Sequence, residues 1–434
     1  MVGLIALGTG LHDRAPVRLP SPKCSRTRLA FRLFCYILQI HSLFETRASG
    51  PMVDRLSLLC GLLAGVLLVA GSVPCAHAQT TLRGTVLDAE TGAPLSGVHV
   101  FIAQSMVGTT TDDAGRFVLR DLRAGSAQLV VSRVGYTGET RTLLLTDDDS
   151  RTFRFALTPT VIEAEEVTVT AERDAEWYER LETFTRLFIG DSPIAARCSL
   201  QNPEVLRFDT SWWGAFTATA AEPLVIENRA LGYRVTYHLK EFEKNGTVVR
   251  WDGEPLFEPL TPRDSAEARR WATHRRQAYE GSLRHFLAAL VRDRVEAEQF
   301  EMRWIPRAGI YRSVQRADRH PISRDRILTA DSDSTWELSF SGRLEVTYHG
   351  APEHEDYLRW AKQRHERRPR PFQRSQIDLD DPPVHIDAYG EIVEPYGATV
   401  YNYFSYELRL SGLLPREYTA ESDTSPLSKV TGER

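Results

Sequence analysis

The sequence predicts two folded modules: an all-β sandwich over about residues 79–160, then an α+β domain with mainly antiparallel strands over about 175–418. Three observations predict this. From Thr81 onward, short runs of alternating apolar residues recur at regular spacing between clusters of Gly, Asp and Pro, the pattern of a sandwich. At Trp177 the apolar spacing changes from strand-like to helical, and beyond it strand and helix patterns mix. The 434 residues are 42% hydrophobic and 26% charged, which excludes a disordered tail, a coiled-coil rod and a many-span membrane protein.

The sandwich follows a leader. Met52-Val53-Asp54-Arg55 runs into the apolar stretch Leu58 to Ala70 and ends in Ala76-His77-Ala78, the parts of a secretory signal peptide over 52–78 with cleavage between Ala78 and Gln79. An uncleaved anchor needs about 20 apolar residues, and Pro74 breaks the run. Pro74 also sits where lipidation of Cys75 would want a small residue. Translation is then expected to begin at Met52, with residues 1–51 as upstream sequence. Without residues 1–78 the chain keeps 45 basic and 55 acidic residues in 356, near −10 where the whole sequence is −5. That balance argues against generic nucleic-acid binding. Of five cysteines only Cys198 remains, so no intrachain disulfide, cysteine zinc site or Cys-x-x-Cys is available. Cys198 reads as a small buried residue, since no His lies near it in sequence to activate it.

In the first module, Leu82 to Leu87 is a strand closed by the turn cluster Asp88 to Pro94. Val98, Val100 and Ile102 alternate in the next. Gly108 to Thr111 leads to the turn Asp112-Asp113-Ala114-Gly115, after which Phe117 and Leu119 point one way. Leu129-Val130-Val131 forms a strand ending at Val134-Gly135-Tyr136, and Phe153, Phe155 and Leu157 form the last. The signals Gly84-x-Val86-x-Asp88, Thr91-Gly92-x-Pro94-Leu95-x-Gly97-Val98, Thr111-Asp112-x-x-Gly115-x-Phe117, Leu122-x-x-Gly125 and Val134-Gly135-Tyr136 come in one order. In that order they resemble the carboxypeptidase regulatory-like domain. The resemblance implies a prealbumin-like, immunoglobulin-like sandwich without catalytic zinc ligands of its own.

The following stretch, Glu163 to Ala171, is similar to the segment that joins such a domain to the plug of TonB-dependent outer-membrane receptors, but the chain beyond it lacks the strand series of a barrel. Two readings stand for 161–174: an edge strand of the sandwich, or a docking linker.

The second module opens with a helix from Glu176 to Ile189. Strands are expected at Val205 to Phe208, through Phe216, at Leu224 to Glu227 and at Tyr233 to Leu239. Asn245-Gly246 marks a hairpin. Asp264 or Ser265 caps a helix to about Glu280, and Ser282 starts another through Val291. Later strands are expected at Trp336 to Phe340, Leu344 to Tyr348, His385 to Ala388 and Val400 to Leu410, before a tail over 419–434. The runs Phe188-Ile189-Gly190, Asn202-Pro203-Glu204-Val205-Leu206, Leu231-Gly232-Tyr233, Ala278-Tyr279-x-Gly281-Ser282 and Leu414-Pro415-x-Glu417-Tyr418 resemble the C-terminal region of exported proteins that also carry the regulatory-like domain. That resemblance implies no activity.

No candidate site forms a catalytic set. His238-x-x-Glu241 has the spacing of a peptidase zinc motif, but in a strand its two side chains are expected on opposite faces. His285, at helical spacing with Phe286, Leu287 and Leu290, reads as a packed or surface residue. Asp331-Ser332-Asp333-Ser334-Thr335 begins like a calcium loop but has Trp336 at the sixth position and Gly342 at the twelfth. The tentative binding surface is Trp212 and Trp213, a stacking platform for sugar or peptide of which one ring is displayed, with Arg367 and Arg368 in a basic stretch over 359–374 read as a solvated loop.

The leading expectation is a non-catalytic cell-envelope protein, periplasmic, associated with the outer membrane or at the cell surface, whose sandwich is a docking or binding module and whose second module has an unnamed ligand, with an envelope protein or glycan as the suspected partner. No cofactor or nucleic acid is expected, and no membrane span once the leader is removed. The alternatives are an envelope hydrolase with its site in the second module and an accessory to TonB-linked transport. A cleft with converging carboxylates, or a His held by a charged residue, would favour the enzyme.

Overall fold

The structure is a computed structural model that describes residues 80–420 apart from 124, 147–148, 161–173, 213, 247, 307–318, 333, 364–366 and 395. The described residues form one compact unit of mostly antiparallel sheets, with a sandwich of the predicted type at its start.

The sandwich has two sheets. Strands β1 (Thr80–Asp88), β4 (Arg116–Leu122) and β7 (Ser150–Leu157) form one, with β1 central, antiparallel to β4 and parallel to β7. Strands β2 (His99–Ile102), β3 (Gly108–Thr110), β5 (Gly125–Ser132) and β6 (Glu139–Leu145) form the other, in the order β3-β2-β5-β6. Alternate residues meet between the sheets: Leu82, Val86, Val98, Val100, Leu129, Val131, Phe155 and Leu157 are at most 1% exposed. The turn signals have physical partners. Asp88 accepts the main-chain N–H groups of Glu90 and Thr91, and the Tyr136 hydroxyl donates to its other oxygen at 2.9 Å. The Val-Gly-Tyr end therefore pins the first turn. Gly84 is needed because a Cβ there would lie 2.6 Å from the Phe117 ring. Strand β6 was not expected: only Leu143 and Leu145 of its seven residues are buried, too weak a period-2 signal.

The second module begins with α1 (Ala175–Phe188), whose N-cap Asp174 accepts from Trp177 N–H. It lays Phe184 and Phe188 on a six-stranded sheet of β8 (Cys198–Leu200), β9 (Leu206–Thr210), β10 (Phe216–Ala220), β11 (Leu224–Asn228), β12 (Tyr233–Asn245) and β13 (Val248–Pro259). Phe184 meets Phe242 at 4.9 Å and Phe188 meets Tyr237 at 5.0 Å between ring centres. The expected hairpin forms, with Asn245 opposite Val248 and Gly246 at φ +57°.

Helix α2 (Ser265–Tyr279), capped by Asp264, packs Trp271 on Gly232, and α3 (Leu283–Val291), capped by Ser282, is buried throughout except at its start. α3 backs two further sheets. One is β14 (Phe300–Ile305), β15 (His320–Pro321), β18 (Arg343–Tyr348), β19 (Gln373–Leu379) and β21 (Ala398–Asn402); the other is β16 (Leu328–Ala330), β17 (Thr335–Leu338) and β20 (Val384–Asp387). Short helices α4 (Glu355–Trp360) and α5 (Tyr403–Glu407) join through Tyr357, Leu358, Tyr403 and Tyr406.

Two expectations are corrected. The strand Val400 to Leu410 stops at Asn402, which takes φ +63° and turns the chain into α5, where Tyr403 and Tyr406 share a helical face. The basic stretch 359–374 is not a solvated loop: its ends lie in α4 and β19, and Arg367, Arg370 and Arg374 meet buried carboxylates. β19 escaped the sequence reading because its inward residues begin with Gln373 and Ser375, polar yet buried. Among the described residues no helix is long and apolar enough to cross a membrane.

Candidate functional site

The two modules meet face to face. Phe101 of β2, Ala103 in the turn after it and Val130 of β5 pack with Leu256 of β13, and Phe101 stacks on His238 of β12 at 5.0 Å. Main-chain bonds extend the contact: Gln104 N–H donates to Pro255 O at 2.7 Å and Phe257 N–H to Ser105 O at 2.9 Å. Thr140 donates to the buried Glu254 at 2.8 Å. From the far end of the chain, Arg416 donates to Ser126 O in the sandwich and to Asp387 Oδ2 in the second module, with its guanidinium 4.2 Å from the Tyr389 ring centre. Burial in this seam pushes the His238 imidazole down to about 4, with the charges of His99 and Lys240 adding to the effect.

A second feature lies on the β16-β17-β20 sheet. Glu337 and His385 are directly opposed on β17 and β20, and Asp331 follows β16. Glu394 accepts the His385 main-chain N–H at 2.8 Å and lies 2.5 Å from ring Nδ1. That hydrogen bond raises the imidazole above its ordinary range, while burial opposes it. Nε2 faces Asp331 Oδ2 and Glu337 Oε1, each at 3.9 Å. In the sequence Asp331 stands out only as the start of a failed calcium loop and His385 only as the start of a strand, and the two lie more than fifty residues apart along the chain.

The expected site residues are dispersed. Trp212 is 93% exposed, in the turn between β9 and β10 instead of in a strand, so alternation of faces does not govern it. Trp213 and the cleavage pair Ala78 and Gln79 lie outside the described residues, as does 161–173. Arg368 is exposed. Arg367 is held instead by the Glu353 carboxylate, which is 1% exposed and also takes the Arg370 main-chain N–H, so its role is structural. His238 and Glu241 do not fall on opposite faces. A bulge between Leu239 and Glu241 shifts the alternation by one residue, yet the two have separate partners: Phe101 for His238 and the Tyr396 hydroxyl for Glu241. His285 is packed, accepting Gly281 N–H at 3.0 Å. Burial pushes the Cys198 thiol up to about 12, which keeps it protonated and inert.

Residues 82–169 match the CarboxypepD_reg-like domain family. No curated protein matches the sequence. Solved structures similar to parts of the chain include 5-hydroxyisourate hydrolase of Klebsiella pneumoniae, at 22% identity over 19% of this chain and 91% of that one, TM-score 0.17. A type II cohesin–X-dockerin complex of Acetivibrio cellulolyticus matches at 21% over 18% of this chain and 58% of the other, TM-score 0.17. The Bacillus anthracis TIE protein matches at 12% over 42% and 32%, TM-score 0.17. At these scores the likenesses carry no argument about function.

Proposed function

We propose that this chain, with a CarboxypepD_reg-like domain as its first module, is an exported cell-envelope protein that binds a partner without transforming it. One observation carries the reading: the β2–β5 face of the sandwich is already occupied by the β12–β13 hairpin of its own chain. The sandwich therefore serves as a mount, and the second module presents the surface for an envelope protein or glycan, Trp212 included. The leader-like stretch over 52–78 supports export.

A hydrolase remains the second reading, favoured by His385, a histidine held by Glu394 and faced by two carboxylates. Against it, these side chains are from 33% to 44% exposed, on an open sheet.

Fractionation of the native host, N-terminal sequencing and crosslinking test the proposal. The expected result is an envelope-located chain beginning at Gln79 that crosslinks to one envelope component through the second module, and loses it in Trp212→Ala. A chain recovered with no envelope component, or with an N-terminus upstream of Met52, overturns it. Turnover of an envelope polymer that disappears in His385→Gln would establish the hydrolase instead.

A further inference from the structure

We propose that His385, Asp331 and Glu337 bind one divalent transition-metal ion, with Glu394 as the positioning residue that orients His385. The histidine carries the argument. Glu394 grips it twice, by the main-chain N–H and by ring Nδ1, so the ring plane is set and Nε2 is the atom turned outward. A carboxylate behind one ring nitrogen with the other left to bind is the recurrent support of metal-ligating histidines.

In front of Nε2 stand two carboxylate oxygens at 3.9 Å, and the three donor atoms lie within 4.8 Å of one another. That separation is too long for a hydrogen bond. Ligands sharing an ion with bonds of about 2.0–2.2 Å sit roughly 3–3.5 Å apart, so a small rotation of these partly exposed side chains closes the set. The backbone already holds the donors in register. Glu337 and His385 are a cross-strand pair, and Asp331 is fixed by its N–H to Thr335 O and by the Thr335 hydroxyl on its Oδ2, both at 3.1 Å.

The donor set selects the ion. One imidazole nitrogen with carboxylate oxygens suits Zn²⁺ or Mn²⁺, whereas Ca²⁺ and Mg²⁺ prefer oxygen alone. The calcium-loop pattern that fails at Trp336 and Gly342 thus contributes Asp331 to a site of different chemistry, completed by a strand far along the chain. Its remaining coordination positions face solvent, open to water or to an anionic group of a partner.

The test is calorimetric titration of the untagged, metal-free full chain with zinc chloride, with magnesium chloride as the control. The expected result is one saturable zinc site and no magnesium uptake. His385→Gln and Glu337→Gln should abolish that site, while Glu394→Gln should weaken zinc about ten- to a hundredfold, the usual effect of losing such a support. His349→Gln, at the separate His349–Glu301 pair, should bind zinc as the parent does. Circular dichroism and the thermal midpoint without metal identify any variant that fails to fold. Zinc affinity unchanged in a folded Glu337→Gln or Glu394→Gln chain, or no saturable site in the parent, overturns the proposal.

Discussion

The Glu353 carboxylate shows how far a single residue departs from its appearance in the sequence. It is buried, and it meets Arg367, Arg370 and a main-chain N–H in a stretch that reads as solvated charge. Removing Arg367 leaves this buried carboxylate with only the longer Arg370 contact and one main-chain N–H, which costs more than a surface pair contributes. Arg367→Ala is expected to lower stability by about 3 kcal/mol, whereas Arg368→Ala, one residue on and exposed, should change it by less than about 0.5 kcal/mol. Urea unfolding of the two variants checks this, and equal midpoints would refute the assignment. Neither Glu353 nor its role was legible beforehand, because a carboxylate 14 and 17 residues from its partners has no local pattern.

At the scale of elements, the contact between α2 and the β11–β12 turn depends on Gly232. Its φ is +74°, and a Cβ there would lie 2.2 Å from the Trp271 ring. Gly232→Ala therefore combines backbone strain with overpacking, at a cost of about 2–4 kcal/mol, measured by thermal unfolding. Gly246→Ala, with φ +57° and nothing near its Cβ, carries the strain alone and should cost less than Gly232→Ala. A larger loss at Gly246 would contradict the packing account. The turn at Asn245-Gly246 and the caps at Asp264 and Ser282 were readable because each depends on a few adjacent residues. β19 and β6 were not, because their burial is imposed by neighbouring strands and leaves little period in their own residues.

For the whole molecule, the seam between sandwich and second module makes stability depend on acid. His238, stacked on Phe101 and desolvated, titrates near 4 instead of its ordinary 6.5. Above pH 6.5 the imidazole is neutral in both states and its contribution is complete. As pH falls from 6.5 toward 4 the unfolded chain takes up the proton first, and stability drops by up to roughly 3 kcal/mol. His238→Phe keeps the stack and removes the proton site, so its urea midpoint should fall less than the parent's between pH 7 and pH 4. Parallel curves for the two proteins would show that the seam does not hold the neutral ring.

The amino-acid sequence by itself determined the sandwich, its turn chemistry and the starts of α1, α2 and α3, because these depend on period and on residues within a turn of one another. It could not determine what the sandwich docks on, where the bulge at Leu239 and Glu241 turns a side chain, or which carboxylates face His385. Those follow from pairing between strands distant along the chain, and only the tertiary structure brings such strands to one surface.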